Sequence, residues 1–76
     1  MNKTKELTSW NTKLSNKNFG MKLKIEKLEK RLIWIDDISV IWRHKDKIKE
    51  LKHKMLINEQ QVRFNLMTML SGRVNN

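Results

Sequence analysis

Arg31-Leu32-Ile33-Trp34-Ile35-Asp36-Asp37-Ile38-Ser39-Val40-Ile41-Trp42 is the stretch on which the fold turns. It is rich in β-branched and aromatic side chains, so one way to fold it is as two short strands joined by a two-residue turn. That turn would be Asp36-Asp37. Primed hairpin turns need positive φ at their central residues, and Asp-Asp is a poor choice for them. The alternative is two helices meeting at the aspartates. Either carboxylate can cap the second helix by accepting from its free N–H groups, and its charge suits the positive end of the helix dipole. The apolar repeat runs into the segment from both sides, which favours the helices.

Upstream, Met21, Ile25, Leu28, Leu32 and Ile35 recur at alternating spacings of four and three. Such a seam predicts a helix over Met21–Ile35. Downstream, Ile41, Ile48, Leu51 and Met55 share one face and predict a helix over Ile38–Leu56. Further out, Ser15-Asn16-Lys17-Asn18-Phe19-Gly20 has the composition of a loop. A first helix is then expected over Thr4–Leu14, capped by Thr4, with Leu7, Trp10 and Leu14 on its apolar stripe. At the other end, Asn58 and Gln61 resemble a capping box, with Ile57 and Val62 placed as a hydrophobic staple. This predicts a helix from Asn58 that buries Val62, Leu66, Met69 and Leu70 and stops before Gly72. Proline is absent, and the two glycines fall where helices would be interrupted. The expected fold is all-α: a small antiparallel bundle of about four helices, forming one domain over residues 1–76 and frayed at 1–3 and 73–76.

A chain of 76 residues makes one domain, and burial in so small a domain is only marginally stabilising. The absence of cysteine removes disulfides and thiolate metal sites, and suits a reducing compartment. No apolar run reaches the length of a membrane span, and the polar N-terminus lacks the apolar core of a signal peptide. A cytoplasmic protein is expected. Its 17 Lys and Arg against 8 Asp and Glu leave a net charge of +9, which points to a polyanionic partner.

Catalytic chemistry finds little support. Gly20 and Gly72 stand alone, so there is no phosphate-binding loop. His44 and His53 lie nine apart on different helix faces and read as solvated residues rather than metal ligands. Adjacent Asp36 and Asp37 would diverge by about 100° on a helix. Ser9 and Ser39 lack the sequence context of a nucleophile elbow. No enzyme activity, cofactor or metal is expected.

Projecting the two central helices gives a candidate binding surface. With the seams facing each other in an antiparallel pair, Lys22, Glu26 and Glu29 share a side with Lys45, Lys49 and Lys52. That side is charge-complementary. The other side collects Lys24, Lys27, Arg31, Arg43, Lys47 and Lys54, with Glu50 as its acid and Trp34 at its edge. Lysine-rich exteriors are also common on solvated helices, and a Trp between isoleucines is commonly core. As a binding surface, the basic side would meet backbone phosphates, and Trp34 would stack on an unpaired base.

Over its whole length, and in segments such as Ile38-Ser39-Val40-Ile41-Trp42-Arg43-His44-Lys45 and Leu70-Ser71-Gly72-Arg73-Val74-Asn75-Asn76, the chain resembles the small proteins encoded beside the UvsW recombination helicase of T-even phages. The resemblance implies a phage-encoded helical bundle linked to DNA recombination, replication or repair. It carries over no functional residues. The expected partners are nucleic acid, DNA or RNA, bound without sequence preference, and a helicase or another replication or recombination protein. The expected state is a monomer or weak oligomer. The competing expectation is a protein-interaction adaptor that uses an apolar surface served by Met55, Met67 and Met69, with Leu23 exposed opposite its seam.

Overall fold

The structure is a computed structural model that describes residues 3–74, with side chains described to Ser71. The chain forms two long helices, α1 over Lys3–Leu32 and α2 over Ile38–Val74. They pack against each other as an antiparallel hairpin measuring 60 × 14 × 14 Å. All described residues outside the helices lie in the short connection at residues 33–37. The all-α expectation holds. The four-helix count does not, because α1 joins the first two predicted helices and α2 the last two.

One heptad pattern explains both long helices. On α1 the buried and half-buried positions are Leu7, Asn11, Leu14, Asn18, Met21, Ile25, Leu28 and Leu32. On α2 they include Ile41, His44, Ile48, Leu51, Met55, Asn58, Val62, Asn65 and Met69. Spacings of three and four alternate without a break on each helix, which keeps every one of these side chains on the seam between them. The apolar centre is Ile25, Ile48 and Leu51, packed by Met21, Leu28, Leu32 and Met55. It lies in the half nearer the connection. Leu14 adds a buried side chain towards the open end.

The open half is held together by polar layers. Asn18 Nδ2 donates to the Met55 carbonyl at 3.1 Å, and Asn58 Nδ2 donates to Asn18 Oδ1 at 2.9 Å. Asn65 Nδ2 donates to Asn11 Oδ1 at 2.8 Å, while Gln61 Nε2 supplies Asn65 Oδ1 at 2.9 Å. Asn11 and Asn18 are seven apart, as are Asn58 and Asn65, so one register satisfies both pairs. A buried amide left unpaired is costly, so these layers penalise sliding of one helix along the other.

Several sequence expectations are corrected here. Ser15–Gly20 is helix rather than loop, since Asn18 belongs to the seam. Asn58 and Gln61 do not form a capping box, because α2 runs unbroken through both; the Asn58 amide donates across to Asn18, and that of Gln61 to Asn65 on its own helix. Thr4 is not a cap: α1 already includes Lys3, and the Thr4 carbonyl accepts from Thr8 Oγ1 at 2.8 Å. Leu66 and Leu70 are exposed rather than buried, as is Trp10, because a single neighbouring helix covers only one face of each. His44 is half-buried, with Nδ1 3.0 Å from the Val40 carbonyl, rather than solvated. Helix α2 runs through Gly72 to Val74. Lys3, Arg73 and Val74 are helical. Residues 1, 2, 75 and 76 lie outside the described set.

The connection is helix–turn–helix, not a β-hairpin. Helix α1 ends in a tightened turn, with Ile33 N donating to the Lys30 carbonyl at 3.3 Å and Trp34 N to that of Arg31 at 3.0 Å. Lys30 and Arg31 place positive charge on its last turn, where the dipole favours it. Ile35 remains half-buried, although α1 stops before it. Asp37 then caps α2: Ser39 N donates to its Oδ1 at 2.9 Å, and its carbonyl accepts the first helical bond, from Ile41 N, at 3.0 Å.

Candidate nucleic-acid interface

The two flanks of the hairpin are oriented by one contact. Lys52 Nζ reaches Glu29 Oε1 at 4.0 Å across the interface, on the side where the sequence predicts charge complementarity. With Glu29 and Lys52 together, the opposite flanks of both helices must share the other side. That side presents Lys24, Lys27 and Arg31 from α1, and Arg43, Lys47 and Lys54 from α2.

These cations differ in how far they are committed. Glu50 holds Lys54 at 3.1 Å and Lys47 at 3.5 Å, so it engages two of the predicted cations at once. The hydrogen bond from Lys54, and then the nearby charge of Lys47, hold the Glu50 carboxyl below its ordinary range. Pairs this exposed contribute little net stability, so a multivalent anion can compete for both lysines. Lys24, Lys27, Arg31 and Arg43 are exposed and make no ion pair among the described residues. Gly20 leaves a shallow hollow beside Leu23, Lys24 and Lys27.

Trp34 lies in the connection and is 84% exposed. Ile33, Ile38 and Trp42 are exposed beside it, so the end of the hairpin is an apolar tip next to Arg31 and Arg43. Trp34 is therefore not a core residue, and its ring faces are open to a stacking partner.

Lys17 escaped the sequence reading because it fell in a presumed loop. It lies seven residues before Lys24 on the continuous α1, which sets it on the same flank, exposed. Carrying the heptad through Asn18 would have found it.

Among the described residues no three His, Asp or Glu side chains converge on a point that could hold a metal ion. No helix there is long and apolar enough to cross a membrane. Comparison with protein-family models, curated proteins and solved structures returns no match.

Proposed function

We propose that the protein is a nucleic-acid-binding accessory factor that lays the basic flank of its hairpin along backbone phosphates. The observation that carries this is the segregation of charge: the side of the Glu29–Lys52 contact sets Lys22, Lys45, Lys49 and Lys52 against Glu26 and Glu29, while the other sets Lys17, Lys24, Lys27, Arg31, Arg43, Lys47 and Lys54 against Glu50 alone. Like charges held on one side of a rigid rod repel each other, and a polyanion relieves that repulsion while releasing its own counterions. Exposed Trp34 at the tip adds a stacking surface for an unpaired base. The contacts are to phosphates and stacked rings, so binding is expected without sequence preference. The resemblance to proteins encoded beside the UvsW helicase supports a role in phage DNA recombination, replication or repair, working beside a helicase.

The test compares two triple variants with the same change in charge. One replaces Lys24, Lys27 and Arg31 by Glu. The other replaces Lys22, Lys45 and Lys49 by Glu. Fluorescence anisotropy with labelled single- and double-stranded DNA and RNA, over a salt series, reads the outcome. The first variant should lose at least about tenfold in affinity and show a flatter salt dependence, and the second should lose far less. Equal losses would refute the one-sided interface.

A further inference from the structure

Helix α2 is apolar on nearly every side over residues 56–70. Val62 and Met69 face α1 in the seam. Leu56, Ile57, Phe64, Met67 and Leu70 lie on other faces and are 50–67% exposed. Ile57, Gln60, Phe64 and Met67 repeat at spacings of three, four and three, which forms a second seam on the back of the helix. A helix apolar all round is ordinarily covered all round, and here only one face is covered. The same half of the hairpin has the weaker internal packing, since its layers are the asparagine pairs rather than the Ile25–Ile48–Leu51 centre.

Charge narrows the identity of what covers it. Between residues 55 and 71 the only charged side chains are Glu59 and Arg63, which cancel. The excess of +9 therefore lies elsewhere on the chain. A polyanion gains little from this stripe, whereas another basic chain meets less repulsion here than along the basic flank, the other cations of this half being those of α1 on the neighbouring helix.

We propose that the back of α2 pairs with the same surface of a second copy, the two helices running antiparallel about a two-fold axis near residue 62. In that register Ile57 of each copy meets Met67 of the other, and Gln60 meets Phe64. The antiparallel order sends the two connection halves, each with 11 Lys and Arg against 6 Asp and Glu over residues 21–54, in opposite directions, while a parallel order would set them side by side. The stripe from Ile57 to Met67 rises about 15 Å on a helix about 10 Å across, a footprint on the order of 150 Å² per copy. A standard stable interface covers about 800 Å² per partner, so the dimer is weak and concentration-dependent.

Sedimentation equilibrium on the full chain should show the mass rising from 9.2 kDa towards twice that value as concentration passes the order of 100 μM. Phe64→Glu, at an exposed position, should weaken association at least about tenfold while leaving helix content unchanged. Trp34→Glu at the tip should leave the mass curve as it is. The chain has no cysteine, so oxidative cross-linking reads the direction. A mixture of Ile57→Cys and Met67→Cys chains should cross-link to each other, and Ile57→Cys alone should not. A monomer at every concentration, as expected if a different protein covers this face, would overturn the proposal. So would association indifferent to Phe64→Glu, or efficient Ile57→Cys self-linking. Should Phe64→Glu lose helix content, the cysteine pairing decides. The basic flank is untouched by these changes, so nucleic-acid binding that survives them separates this proposal from the preceding one.

Discussion

Asp37 shows how much one carboxylate decides in a chain this small. It ends the connection and starts α2, with its Oδ1 accepting from both the Ser39 hydroxyl at 2.8 Å and the Ser39 N–H. Those two bonds, the hydroxyl's first, hold its carboxyl below the ordinary value. A carboxyl lowered in the folded state adds stability above its ordinary pKa, and that stability drains away as pH falls through the folded value. Glu50 is lowered as well, so the hairpin should lose helix content on the acid side of the ordinary carboxylate range. Far-UV circular dichroism across an acid titration checks this. Asp37→Ala should lower the thermal midpoint at neutral pH, whereas Asp37→Asn should keep most of the cap and flatten the acid limb. An Asp37→Ala midpoint equal to that of the parent chain would show that the cap is idle. Asn65 illustrates a different economy: it is 1% exposed, yet both its amide groups are satisfied. A leucine there would pack well, but it would strand the Asn11 carbonyl oxygen.

At the scale of the helices, Gly20 is the informative position. It lies inside α1 without positive φ, and a Cβ built on it meets nothing within 4 Å. Gly20→Ala should therefore stabilise the protein by about 0.5–1 kcal/mol, chiefly by restricting the unfolded chain. Thermal or denaturant unfolding measures the gain, and a loss would contradict the open space around Gly20. Gly20 also closed the stretch read as a loop, which hid the continuity of α1. The seams from Met21 to Leu32 and from Ile48 to Met55 were readable because they are apolar at every heptad step, whereas His44, the polar step between Ile41 and Ile48, was not. The Asp37 cap was readable for the same kind of local reason. Asn11, Asn18, Asn58 and Asn65 hid the rest. Each amide matches a turn or cap in isolation and becomes a seam residue only when its partner on the other helix is known. The basic flank was traceable from Lys24 onward, since seam geometry sets its azimuth. Lys17 was lost with the misread loop, and the grip of Glu50 on two lysines depended on rotamers that spacing does not encode.

At the scale of the molecule, stability is graded along the rod. The apolar centre lies towards the connection, and the amide layers lie towards the open end. Local opening should follow that gradient. Amide hydrogen exchange, at concentrations too low for self-association, should be slowest in residues 21–32 and 48–55 and fastest near Lys3 and Val74. Uniform protection would contradict a graded core. The hairpin also has a mechanical direction. The start of α1 and the end of α2 emerge at one end of a 60 Å rod, so tension applied there loads one layer at a time. The amide pairs would part first and the Ile25–Leu51 region last, at low force, as a zip opens. Tension between the tip and the open end instead runs along the helix axes and leaves the layers unloaded. A cargo held at the tip would thus feel a stiff strut, while a load at the open end would meet a release catch.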